Sequence, residues 1–212
     1  MQPSVKGTLF QNASLEILEA LENGTICRAD LESQLKPDEI ESIEGEIAIS
    51  TWYPLETYGR MLKLLAGTSS NPAEWLIESG RRSARRVIEM GVYAQLDDRT
   101  KGSWENRIGR ILVTLAGSFF SSGKWKWKGM EANSFEIEVL EASAYSPELS
   151  LRTRGFIEAL ATRAAGRPIA LTHDRSPAGD RIVFRAAGQE RETRSGSRDA
   201  AEALAAKRPT RS

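Results

Sequence analysis

Apolar positions recur at helical spacing through the first half of this chain and switch to a two-residue alternation near residue 124. Residues 13 to 22 (ASLEILEALE) and 28 to 35 (RADLESQL) predict two short helices, with Asn23-Gly24 as the stop between them. Glu46-Ile47-Ala48-Ile49-Ser50 reads as extended, and Thr51-Trp52-Tyr53-Pro54 then caps a helix over about 54–66. Leu55, Tyr58, Met61, Leu62 and Leu65 share one stripe of it, and Gly67-Thr68-Ser69-Ser70 ends it. Asn71-Pro72 starts a fourth helix running to about Gly91. Its inner face carries Leu76, Gly80, Ser83, Ala84, Val87 and Ile88, several of them small enough to let another helix approach closely. A fifth helix, about 102–120, presents Ile108, Ile111, Leu112, Leu115 and Phe119.

Beyond Ser121-Ser122-Gly123 the alternation of Lys124-Trp125-Lys126-Trp127-Lys128 and of Phe135-Glu136-Ile137-Glu138-Val139 predicts a hairpin. With Lys128 facing Ser134, Lys126 meets Glu136, Lys124 meets Glu138, Trp127 meets Phe135 and Trp125 meets Ile137. One face is then charged and the other aromatic. A helix follows over 147–165, ended by Gly166 before Pro168, and a second hairpin is expected from strands 168–173 and 181–186 around a turn-rich loop, 174–180. The fold class is therefore α+β: N-terminal helices packed on a four-stranded antiparallel sheet built as hairpin, helix, hairpin. Residues 1–187 are read as one domain. Aromatic residues vanish after Gly188, so 188–212 reads as a disordered tail.

Composition narrows the function classes. Lys+Arg and Asp+Glu both number 29, so no net field draws nucleic acid or an anionic membrane, and the tail's small positive excess makes no nucleic-acid arm. No segment is apolar enough to span a bilayer, and the N-terminus carries no apolar run of signal-peptide length, so a cytoplasmic protein is expected. Cys27 is the single cysteine and His173 the single histidine. Multi-thiolate zinc sites and Ser-His-Asp chemistry lack raw material, and neither a metal nor a catalytic residue is expected.

Each candidate group has a bland alternative. His173-Asp174 has the form of a base with an orienting carboxylate, but a strand-end histidine beside a turn-forming aspartate is the favoured reading. Cys27, near a helix start, is read as a small core residue rather than a reactive thiol. Arg81, Arg82, Arg85 and Arg86 form one strip on their helix, a candidate grip for an acidic partner, with a solvated face paired to Glu78 and Glu89 as the alternative. Trp52, Tyr53, Tyr58, Trp125 and Trp127 are candidates for an aromatic-walled ligand pocket, with ordinary core packing as the alternative. The KWKWK strand puts lysines and tryptophans on opposite faces, so it cannot grip a single nucleic-acid strand with both.

The Trp52-Tyr53-Pro54-Leu55 run before a helix, the Ala- and Arg-rich helix from Gly80 to Tyr93 and the terminal hairpin resemble an uncharacterised paralogous family of myxobacteria. That family in turn is similar to haem-nitric-oxide-binding and vinyl-reductase-like ligand-sensing domains, in a superfamily that includes Bet3-like trafficking subunits. The resemblance covers about residues 10–187. It implies a bacterial regulatory or signalling domain that holds an apolar ligand between helices and sheet, or one that keeps only a dimerising surface. The haem-binding relatives carry iron on a helical histidine and the vinyl-reductase-like ones use several cysteines, so neither cofactor carries over to a chain with His173 in a strand and Cys27 alone. The expectation is a non-enzymatic sensory or scaffolding domain whose partner is a protein, a second copy of itself included, with an apolar small ligand and no cofactor. The alternative is an enzyme using carboxylates and an unidentified cofactor.

Overall fold

A computed structural model describes residues 2–89, 103–130 and 134–186. The expected tail, 188–212, lies outside the described residues, as do Met90, Gly91 and Gly102 at the expected helix ends. The architecture is α+β, with two antiparallel sheets and seven helices among the described residues.

The chain opens with a short strand missed by the hydrophobic pattern, β1 (Ser4–Lys6), which leads directly into α1 (Gly7–Glu22). Helix α1 thus begins six residues before the expected start. Its backbone at Gly7 runs so close to the 48–49 segment that a Cβ there would overlap the Ala48 carbonyl oxygen. Helices α2 (Arg28–Gln34) and α3 (Pro37–Glu44) follow, and Glu39 in the first turn of α3 is buried. Glu39 Oε2 accepts the Lys36 N–H at 2.9 Å and Oε1 accepts the Thr57 hydroxyl at 2.7 Å, while Arg60 supplies the countercharge. Residues 46–50, expected to be extended, form no strand; the strand is β2 (Trp52–Pro54), paired with β1 through Val5 opposite Tyr53. Alternation over five residues misplaced it because the pairing partner lies at the far N-terminus.

Helices α4 (Leu55–Gly67) and α5 (Pro72–Glu89) match the expected stripes. Helix α6 (Trp104–Phe119) is capped by Ser103, whose hydroxyl accepts the Asn106 N–H, and its end is tied to β1 by Ser121 N–H donating to the Ser4 carbonyl at 3.0 Å. The four-stranded sheet has order β3-β4-β6-β5: β3 (Lys124–Gly129), β4 (Phe135–Leu140), β5 (Leu171–Arg175) and β6 (Arg181–Ala186). Helix α7 (Pro147–Ala165) joins β4 to β5, starting at the Ser146 cap and ending at Gly166, whose φ of 67° favours glycine.

The first hairpin's register differs from expectation by two residues. Trp127 faces Ile137, Trp125 faces Val139, Lys126 faces Glu138, Lys128 faces Glu136 and Lys124 faces Leu140. Strand β3 continues to Gly129, opposite Phe135, and the Trp127 ring lies over Gly129, where a Cβ would meet it at 2.9 Å. An even shift keeps the faces, so the charged and aromatic sides are as expected. The carboxylates take other partners: Glu138 binds Arg181 at 2.5 Å and Glu136 binds Arg185 at 2.9 Å, both from β6. Strand β5 starts at Leu171 rather than residue 168 and ends in a tight turn closed by Ser176 N–H donating to the Arg181 carbonyl.

The two best-packed helices are α5 and α7. They touch through glycine on both sides: a Cβ at Gly80 would overlap the Arg152 carbonyl oxygen, and one at Gly155 would overlap the Ile77 carbonyl oxygen. This contact fixes the walls of the cavity described next.

Candidate functional site

A cavity of about 380 Å³ lies between α1, α5, α6, α7 and the first strand of the larger sheet. Thr8, Leu9 and Asn12 of α1 form one wall, and Leu112, Leu115, Ala116 and Phe119 of α6 form the facing one. From α5 come Gly80, Ser83, Arg86 and Val87; from α7 come Leu149, Arg152, Thr153, Phe156 and Ile157. Each set repeats at three- or four-residue spacing, so one face of each helix lines the space. Its size suits a small organic ligand, and its walls are mainly apolar.

Of the five aromatic residues expected to wall a pocket, the structure brings two together here. Tyr58, from α4, is wholly buried and lines the cavity, and burial raises its phenol above the ordinary tyrosine range. Trp125 lines it from β3. Its indole is held by parallel stacking near Phe120 and Phe184 and by donating to the Tyr145 hydroxyl at 3.2 Å. The Tyr145 O–H in turn donates to the Ser122 carbonyl at 2.9 Å, and burial pushes its phenol up to about 12. The other three stand elsewhere. Trp127 packs flat on α6 where Gly109 leaves room for its ring, Tyr53 stacks on Phe10 with ring centroids 4.4 Å apart, and Trp52 is 41% exposed under the Lys6 ammonium.

The arginine strip is not one free surface. Arg81 binds Glu158 at 2.6 Å and also reaches Glu74 and Glu78; Arg85 binds Glu78 at 2.8 Å; Arg82 lies over the Trp75 ring. Arg86 alone of the four lines the cavity. Cys27 is exposed rather than in the core, its N–H held by Asp30 at the start of α2. His173 and Asp174 point to opposite sides of β5, so they do not form a dyad: Asp174 pairs with Arg185, while His173 stacks near Phe184. Burial chiefly, with Arg154 and Arg175, holds the imidazole below its ordinary pKa against the pull of Asp174.

Sequence reasoning missed Arg152 and the α1 wall. Arg152 is 5% exposed; its guanidinium donates to Ser83 Oγ at 3.1 Å, stands 3.8 Å from Glu16, and keeps Nη1 without a hydrogen-bond partner. A charged residue between Leu149 and Phe156 on an otherwise apolar stripe was the available signal.

No family model and no curated protein matches the sequence. Solved structures do match in fold. An iron(II), unliganded H-NOX protein mutant from K. algicida superposes with a TM-score of 0.60 at 16% identity, over 88% of this chain and 98% of that one. A T. tengcongensis H-NOX mutant gives 0.57 at 14%, over 87% and 98%. An oxygen-binding H-NOX domain related to soluble guanylate cyclases, in its oxygen complex, gives 0.55 at 13%, over 87% and 95%. The chain therefore has the H-NOX fold.

Whether this cavity fits haem iron is decided by its donors. The sole histidine is in β5 and the sole cysteine begins α2, and neither lines the cavity. Tyr58, the one phenol among the described lining residues, has its ionised form disfavoured by burial. The described lining residues thus do not supply an axial ligand of the usual kinds. Among the described residues no cluster of His, Cys, Asp or Glu fits a metal ion, and no helix is long and apolar enough to cross a membrane.

Proposed function

We propose that this chain is a sensory domain that holds an apolar organic ligand in the cavity between its helices and its sheet, without catalysing a reaction. The observation that carries the reading is an apolar cavity in an H-NOX fold whose lining has neither histidine nor cysteine. The absence of an iron ligand leaves burial of apolar surface as the main source of affinity. Occupancy is reported to a protein partner, a second copy of the chain included, through α5 and α7, because both line the cavity and their glycine contact leaves no slack between them. On this reading the protein belongs to a cytoplasmic signalling pathway, in the wider group that includes the myxobacterial and Bet3-like proteins.

Native mass spectrometry of the full chain as purified tests this. One organic adduct per chain is expected, lost in the Ala116→Trp variant, in which the indole fills the space beside Leu112. An adduct equally abundant in that variant, or none at all together with no uptake of added decan-1-ol, rejects the reading.

A further inference from the structure

The cavity's polar groups have a sign. Among the described residues two cations line it, Arg86 and Arg152, and no aspartate or glutamate does. Arg152 is nearly sealed from water with Nη1 unpartnered, and Glu16 at 3.8 Å lies beyond hydrogen-bond distance. A desolvated guanidinium with an open N–H is costly to keep, and a carboxylate is the acceptor that matches its fork. Arg86 is exposed and has no carboxylate partner among the described residues, unlike Arg81 and Arg85 beside it. Ser83, which holds Arg152, precedes Arg86 by one turn of α5, so Arg86 stands on the same face of α5 as the group that Arg152 binds. The remaining polar lining groups, Thr8, Asn12, Ser83 and Thr153 with the Tyr58 phenol, are uncharged, and the other side chains, from Leu112 and Phe119 to Trp125 and Phe156, are apolar.

We propose that the ligand is a straight-chain carboxylic acid, its chain along the apolar walls and its carboxylate held by Arg86 and Arg152. This rests on the reading of the cavity as a ligand site and adds the ligand's chemical class.

Isothermal titration of the full chain with decanoate, octanoate and decan-1-ol separates the two ideas. Decanoate should bind at least about tenfold tighter than decan-1-ol, as expected for a charge-assisted bond. Octanoate, two methylenes shorter, should bind about fifteenfold more weakly than decanoate, since each methylene is worth roughly fourfold. Arg86→Gln, at an exposed position, should cost decanoate about tenfold and cost decan-1-ol far less. Equal binding of acid and alcohol, or an Arg86→Gln variant that binds decanoate normally, overturns the carboxylate assignment while the cavity reading stands. Failure of both decanoate and decan-1-ol to bind overturns both.

Discussion

Replacing Gly155 by alanine should destabilise the protein although alanine is the better helix former. The new methyl would sit 2.7 Å from the Ile77 carbonyl carbon, where carbon atoms in contact stand about 3.5–4.0 Å apart. Helices α5 and α7 would have to part by roughly 1 Å, and the obstacle is backbone, which cannot rotate away. Overpacking of this kind costs about 1–3 kcal/mol, and a backbone obstacle belongs at the upper end. Alanine in a helix interior returns about 1 kcal/mol. The expected net loss is about 2 kcal/mol, or a fall in Tm of roughly 4–8 °C for a chain of this length. Gly117→Ala is the internal comparison: it lies in α6 with nothing within 4 Å of the added methyl, so it should stabilise by up to about 1 kcal/mol. Equilibrium urea unfolding of both variants reads the difference. A Gly155→Ala protein as stable as the parent, or shifted in the same direction as Gly117→Ala, would refute the close contact between α5 and α7.

Two further outcomes follow from the sheet. Tyr145→Phe removes the acceptor of the Trp125 indole N–H and the donor to the Ser122 carbonyl, so urea unfolding should show a loss of about 1–3 kcal/mol. His173 is held below its ordinary pKa of about 6.5 by burial and by Arg154 and Arg175. Its folded form therefore prefers to be neutral, so that stabilisation is complete above about pH 6.5 and declines as the pH falls toward the lowered value. Between pH 7 and pH 5.5 the urea midpoint should fall more in the parent than in His173→Gln, and identical pH slopes would show that the imidazole is not buried as described.

Much of this fold was legible in period alone. The stripes of α4, α5 and α6 and the alternation of β3 and β4 each face the core as their spacing requires, because one buried face forces one period. Small residues at Gly80, Ser83 and Ala84 announced the close helix contact, though not that Gly155 answers them. What stayed hidden depends on distant partners. Ser4–Lys6 is too short to show a pattern, and only its pairing with Trp52–Pro54 makes it a strand. The hairpin register escaped because Glu136 and Glu138 are claimed by Arg185 and Arg181 from β6. For the site, the sequence pointed to aromatic residues, but Trp52, Tyr53 and Trp127 are placed by local contacts with Lys6, Phe10 and Gly109. The cavity draws mostly on one face from each of four helices, and the aliphatic positions of those faces look like core in any single segment.

Quenching of Trp125 fluorescence by 10-bromodecan-1-ol tests the central claim, that an apolar ligand enters this cavity without a metal. The quench should saturate at one probe per chain and largely disappear in Trp125→Phe, since Trp125 is the tryptophan of the lining. A quench that never saturates, or one that is unchanged in Trp125→Phe, would place the probe elsewhere and contradict the account.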